Sequence, residues 1–256
     1  MTLIKVENLT KSFGGITAVS DLDFTIEPGG IVSIIGPNGA GKTTLFNLLT
    51  GVYTPTAGRI LVEGVDVTGW PPHELAAVGL SRTFQNVQSF MNMSALENVM
   101  VGCHLHSNRR FIDALLQLPS IRRTNSESRK AAIELIEYVG LKAYVASQAD
   151  QLSYGALKRL EIARALATRP RVLLLDEPAA GLNPIETQEI DELIKNIASQ
   201  GITVMLVEHD MKLVMGISDR IIVLDHGQWL AEGTADEIRH NRDVVGAYLG
   251  EQGRNR

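Results

Sequence analysis

The run IVSII, Ile31 to Ile35, leads directly into GPNGAGKTT, Gly36 to Thr44, and then into the helix-like segment TTLFNLLTG that ends at Gly51. A strand must hand over to a helix within a few residues, through a turn rich in glycine. Glycine permits backbone conformations closed to other residues and lets a ligand approach the main chain. This strand, loop and helix constrain the fold more than any other feature of the chain.

Further apolar runs bounded by turn residues recur: LDFTI before EPGG, RILV before EG, VLLLD, ITVMLV, and IIVLD before HGQ. Several are continuous enough for burial on both faces. Between them lie helical stretches with legible ends. Asn183 is placed to cap PIETQEIDELIKNIASQ, with Pro184 at the first position, Glu186 completing a capping box and Gly201 closing the helix. Strands alternating with helices imply a largely parallel sheet covered by helices. At the N-terminus, LIKVENLT, LDFTIE and RILVEG are short and joined by turns, which points to an antiparallel sheet beside the parallel one.

From about Met91 to Gly155 strand signals fade. SESRKAAIELIEYVG has helical spacing at Ala132, Ile133, Leu135, Ile136 and Val139, with Gly140 as a stop. The expected organisation is one domain with a core over 1–90 and 156–240, a helical insertion over 91–155 and a tail over 241–256. Within the insertion, HLHSNRRFIDALLQLPSIRRTNS reads as helix or loop.

Composition narrows the partners. With 24 basic and 29 acidic side chains the net charge is −5, so no bulk positive field marks a dedicated nucleic-acid binder. The single cysteine, Cys103, excludes an intrachain disulfide framework and is expected to be a buried or inert thiol. MTLIKVENLTKSF lacks the apolar core and cleavage site of a secretory signal, so the mature chain is expected to start here, in the cytoplasm. No apolar run approaches the roughly 20 residues of a membrane span, so a membrane role needs a separate spanning partner.

Three motifs carry chemistry. GPNGAGKT between a strand and a helix matches the phosphate-loop pattern: Gly36, Asn38, Gly39, Ala40, Gly41, Lys42, Thr43 and Thr44 form the candidate binding loop. Backbone N–H groups from Gly39 to Thr44 ring the phosphates at a positive helix end, Lys42 reaches the outer phosphates, and the Thr43 hydroxyl binds Mg2+. In RVLLLDEPAAGLNP, a buried strand exposes two carboxylates at the sheet's C-terminal edge: Asp176 for Mg2+ and Glu177 to polarise the attacking water. In LSYGALKRLEIARALATRP, Ser153 and Gly155 offer a hydroxyl and backbone N–H groups at a helix start, either a second phosphate-binding surface or a simple cap.

GPNGAGKTT, the glutamine of RTFQN, LSYGA, LLLDEP, AGLN and the histidine of VEHD follow one another from Phe13 to His209 as in the nucleotide-binding subunits of ABC transporters, which the chain resembles. The resemblance implies an α/β fold: a P-loop NTPase core with a mostly parallel sheet, an N-terminal antiparallel β subdomain and an inserted helical subdomain. It also implies an ATPase using ATP and Mg2+. Phe13 would stack on adenine, Gln85 complete the Mg2+ and water shell, and His209 contact the outer phosphate and orient Glu177. In that family two ATPase subunits pack head to tail, so Ser153 and Gly155 would act on the nucleotide of the other subunit. Two positions depart from the pattern: Tyr154 stands where glycine is more frequent, and Asn183 where many members carry aspartate.

SRTFQNVQSFMNMSALENVMVG, DEPAAGLNP, VEHDMKLVMGISDRIIVLDHGQWLAEGT and AYLGE are similar to the ATPases of branched-chain amino-acid importers. That likeness implies a second ABC ATPase in a hetero- or homodimer, two integral membrane permeases, an indirectly coupled substrate-binding protein, and a position on the cytoplasmic face of the inner membrane; no nucleic acid is expected. The alternatives are another ABC transporter, such as a lipopolysaccharide exporter, or a soluble ABC ATPase acting on DNA or ribosomes. Phe90, Met91, Met93 and Leu96 either receive a partner's helix or form the insertion's own core.

Overall fold

A computed structural model describes residues 2–85, 87–106 and 119–254. Among them two sheets form. Strands β1 (Ile4–Phe13), β2 (Ile16–Ile26), β4 (Ala57–Val62) and β5 (Val65–Asp66) make an antiparallel sheet in the order β2-β1-β4-β5. The second sheet contains β3 (Ile31–Ile35), β6 (Leu80–Arg82), β7 (Val172–Asp176), β8 (Thr203–Val207), β9 (Arg220–Asp225) and β10 (Gln228–Gly233), ordered β10-β9-β3-β8-β7-β6. All its pairs are parallel except β9 with β10. This is the α/β arrangement that alternating strands and helices require.

Every residue of β3, β7 and β8 is buried, which explains why these strands read as unbroken apolar runs. Their side chains alternate between two cores. Val172, Leu174, Met205 and Val207 face Leu45, Phe46 and Leu49 of helix α1 (Lys42–Leu49) and the inner face of the antiparallel sheet. Leu173, Leu175, Val204 and Leu206 face helix α6 (Pro184–Ser199) and the helical insertion. Each fully buried aliphatic side chain contributes about 1.5–3 kcal/mol, so the paired strands form the most strongly held part of the chain. Polar contacts tie β3 to its neighbours before, at the start and at the middle of the strand. The Gly29 N–H donates to Thr203 Oγ1 at 2.7 Å, the Ile31 N–H donates to Asp219 Oδ2 at 2.8 Å, and the Ser33 and Ser218 hydroxyls meet at 2.6 Å.

The described insertion is helical, with α3 (Ala95–Cys103) and α4 (Pro119–Tyr138) packed against α5 (Tyr154–Leu166). Ser94 and Glu97 form a capping box on α3, and α4 is followed by Gly140 at φ 77°. Ala132, Ile136 and Val139 are buried, while Ile133 and Leu135 pack at the margin of the same core. Helix α5 runs unbroken across position 155. The stretch HLHSNRRFIDALLQLPSIRRTNS falls partly outside the described residues; its ends form a 3-10 turn at His104–His106 and the start of α4. The Cys103 thiol is half-buried, lies 3.8 Å from the Ser128 carbonyl, and burial pushes its pKa up.

Among the described residues the remaining α-helices are α2 (Pro72–Ala77), α7 (Met211–Ile217), α8 (Ala235–His240) and α9 (Arg242–Arg254), the last occupying most of the expected tail. No helix among the described residues is long and apolar enough to cross a membrane.

Candidate nucleotide site

Parallel pairing brings the chemical motifs to one edge. Ile34 is level with Val207, and Val207 with Asp176, so the loops leaving β3, β7 and β8 emerge side by side. Brought together there are Gly36–Thr44, the Asp176–Glu177 pair and His209. Ligands bind at such C-terminal strand edges in open parallel sheets.

The loop after β3 is shaped by its glycines. A Cβ on Gly36 would lie 2.1 Å from the Leu224 carbonyl oxygen, and one on Gly41 (φ 95°) would lie 2.5 Å from that of Ala18. Both obstacles are backbone, so neither position accepts a side chain. Gly39 (φ 79°) instead faces open space, with Asn38 exposed beside it and Ala40 buried. Gly41 is the N-cap of α1 and supplies no side-chain cap; the first turn carries no acid. Its positive end is thus left for an outside anion. The Lys42 ammonium donates to the carbonyls of Gly36 at 2.6 Å and Pro37 at 2.9 Å, curling the loop around itself. Thr43 is exposed and Thr44 half-buried.

Asp176 and Glu177 have different surroundings. Asp176 is buried and ion-paired to Arg82. Glu177, in a left-handed conformation at φ 48°, accepts a hydrogen bond on Oε2 from Gln85 Nε2 at 2.8 Å, while its Oε1 lies 3.8 Å from His209 Nδ1. The His209 side chain is 67% exposed against 20% for Glu177, so the carboxylate sits at a rim with one side open to solvent. Glu208, one residue earlier, is buried and accepts from the N–H groups of Ala179 at 3.0 Å and His209 at 3.1 Å. Burial pushes its carboxyl up, against those hydrogen bonds.

Ser153 caps α5, its hydroxyl accepting from the Ala156 N–H at 3.3 Å. Gly155 is buried beneath Glu186, whose Oε1 would lie 2.5 Å from an added Cβ. Both residues belong to a helix packed on α3 and α4, away from α1, which packs on β2 and β7. Tyr154 lays its ring on Gly181, 3.2 Å from where a Cβ would be, so the residue that departs from the glycine pattern packs on the AGLN loop of its own chain. Asn183 Oδ1 accepts from the N–H groups of Ile185 and Glu186 at 2.9 and 3.0 Å, and Glu186 returns the contact to the Asn183 N–H at 3.1 Å. Phe13, at the end of β1, is 41% exposed and meets Tyr53 edge-on at 5.2 Å. Of the four apolar residues after the glutamine loop, Leu96 is buried in the core, Met93 is half-buried, and Phe90 and Met91 are exposed.

Over residues 19–180 the chain matches the sequence profile described as ABC transporter. The chain belongs to the ABC transporter family. This ABC subunit also matches, over residues 230–253, a profile described as Branched-chain amino acid ATP-binding cassette transporter. It is 49% identical over 250 residues to the high-affinity branched-chain amino acid transport ATP-binding proteins BraF of Pseudomonas aeruginosa and LivG of Escherichia coli K12, covering 97% of this chain and 98% of each relative. Among solved structures, a nucleotide-free ATP-binding cassette from an ABC transporter superposes with a TM-score of 0.84 at 32% identity, covering 97% of this chain and 99% of that one. A dimeric cassette in a post-hydrolysis state bound to ADP and Pi gives 0.77 at 28% identity, covering 91% and 99%. The ABC subunit is therefore an ATPase of known fold.

Sequence reasoning did not single out Arg82, Lys158 or Glu208, which hold the carboxylates and their loops. Their signal was weak because an isolated charge reads as surface until burial shows otherwise.

Proposed function

We propose that this subunit is the ATP-hydrolysing motor of an importer for branched-chain amino acids, working on the cytoplasmic face of the cell membrane through separate permeases. The likeness to BraF and LivG over 97% of the chain carries this reading. In it, N–H groups from Gly39 to Thr44 bind the ATP phosphates, and Lys42 exchanges two carbonyls for phosphate oxygens. Phe13 takes the adenine on the part of its ring left exposed beside Lys11 and Tyr53. Glu177 orients and polarises the attacking water, with Gln85 and His209 on either side of it.

Thr43, Gln85 and Asp176 offer oxygen donors, which suit Mg2+. Gln85 spends its amide nitrogen on Glu177 and keeps its oxygen for such a role, while Asp176 has one carboxylate oxygen on Arg82. When bound, Mg2+ would neutralise charge developing on the phosphates.

Ser153 and Gly155 would meet the nucleotide of a second ABC subunit in a head-to-tail dimer, and the dimeric arrangement of a related cassette supports this pairing. The core, the 91–155 insertion and the C-terminal segment would act as the parts of one domain, with α5 joining the first two. A groove of about 410 Å3 lies between them, lined by Val52, His73, Ala76, Phe84, Val101 and Leu105. It would receive a permease segment, and a substrate-binding protein would act only through the permeases.

The test is to isolate the tagged subunit from native membranes in mild detergent and identify what accompanies it. Two multi-span proteins and a second, similar ATPase are expected. Exclusively DNA-bound or ribosomal partners would overturn the transport reading while keeping the ATPase.

A further inference from the structure

Lys158 lies on α5 one turn beyond Ser153 and is 3% exposed. Its ammonium donates to the main-chain oxygen of Gln85 at 2.7 Å and to that of Glu177 at 3.3 Å. These two residues already meet through their side chains. One ammonium therefore closes a ring joining α5, the loop after β6 and the end of β7.

The ring bears on a strained residue. A non-glycine residue in the left-handed region costs on the order of 1–3 kcal/mol and persists only where its neighbours determine it. At Glu177 the N–H donates to Val207 at 2.9 Å, and the carbonyl accepts from the Ala180 N–H at 3.2 Å as well as from Lys158. Burial lowers the Lys158 pKa, and Glu161, Glu208, Glu177 and Asp176 raise it again. A buried cation serving stability alone would be best matched by hydrogen bonds to those carboxylates. Here its short bond goes to the Gln85 carbonyl and a longer one to that of Glu177, the backbone of the two residues whose side chains would flank the attacking water.

We propose that Lys158 is a positioning residue: it transmits the placement of the Ser153 end of α5 to the Gln85–Glu177 pair of the same chain. The proposal rests on the reading that Ser153 and Gly155 meet the nucleotide of a second subunit. On that reading, the end of α5 senses one nucleotide and Lys158 sets the residues that hydrolyse the other. The connection is one continuous helix, with no intervening hinge.

The test uses the assembled transporter with three substitutions. Lys158→Met keeps the apolar stem and loses the donors; Lys158→Gln keeps an uncharged donor; Lys158→Arg keeps charge and donors. Lys158→Met should lower kcat for ATP roughly tenfold to a hundredfold with KM changed less than about twofold, since misplaced groups lose rate before they lose binding. Lys158→Gln should fall between, and Lys158→Arg should recover most of the rate. Binding of a fluorescent ATP analogue to the subunit should be equal in all four proteins. Wild-type kcat in Lys158→Met or Lys158→Gln overturns the proposal, as does Lys158→Arg being as slow as Lys158→Met. A wild-type complex that does not hydrolyse ATP overturns the motor reading as well, whereas normal wild-type turnover beside an unchanged Met variant overturns this proposal alone.

Discussion

Arg82 Nη2 lies 2.7 Å from Asp176 Oδ2, with the two side chains 7% and 3% exposed, and the same guanidinium reaches Asn47 Oδ1 at 2.6 Å and Thr50 Oγ1 at 3.0 Å through Nη1. The strand edge at β6, the helix after the phosphate loop and the carboxylate at the end of β7 share one cation. Removing one member of a buried pair leaves the other charge uncompensated, so Arg82→Met should lower unfolding free energy by about 3–5 kcal/mol. Adding Asp176→Asn should cost less than the two single losses summed, with a coupling of about 0.5–3 kcal/mol in urea denaturation. Additive losses would deny the pair any energetic role.

Glu177→Gln keeps the size of the side chain and removes its basicity. ATP binding should persist while kcat falls by about a hundredfold to ten-thousandfold, the usual contribution of a general base. A closed dimer should accumulate with ATP, visible by size-exclusion chromatography. Normal turnover would remove Glu177 from the chemistry. Lys42→Ala should fail earlier, at nucleotide affinity, measured by equilibrium titration.

The reciprocal cap of Asn183 and Glu186 holds the start of α6 and places Glu186 over Gly155. Asn183→Ala should cost about 1 kcal/mol. For a chain of this size that lowers Tm by about 2–4 °C. Asn183→Asp should keep the cap, because its carboxylate accepts the same N–H groups; a melting temperature as low as that of the alanine variant would contradict the capping account.

Glu161 carries a pH prediction. Its Oε1 accepts from the Gln88 N–H at 2.7 Å, while its buried Oε2 has no hydrogen-bond partner among the described residues. Burial pushes its carboxyl up, against the Gln88 hydrogen bond, Arg164 and Lys158. The folded pKa lies above the unfolded one, so this group's contribution is full below the unfolded value and is lost as pH rises through the folded value. Relative to wild type, Glu161→Gln should therefore gain stability as pH is raised from the ordinary carboxylate range upward, followed by thermal melting. The opposite slope would mean the carboxylate is stabilised in the fold.

The glycine loop between β3 and α1, the α6 cap and the central strands were legible because each is a local pattern: a glycine spacing, a capping box, an unbroken apolar run. β6 was not, since Leu80–Arg82 is three residues long and ends in a charge whose burial depends on Asp176, 94 positions away. β10, at an edge, sets only the three apolar residues Trp229 to Ala231 between Gln228 and Glu232, too short a run to read as a strand. Tyr154 read as a departure in a binding loop because its contact with Gly181 is tertiary. Long-range pairings of charge and shape leave little trace in a one-dimensional pattern.

The contacts Gly29–Thr203, Ile31–Asp219 and Ser33–Ser218 have a consequence for how the enzyme tolerates change. Strands apolar on both faces give hydrophobic burial little means of telling one alignment from the next. These polar pairs supply the missing index marks, placed before, at the start and at the middle of β3 rather than at its C-terminal edge. Alignment is thereby settled without recourse to Gln85, Glu177 or His209, leaving selection free to revise them without scrambling the strands that present them.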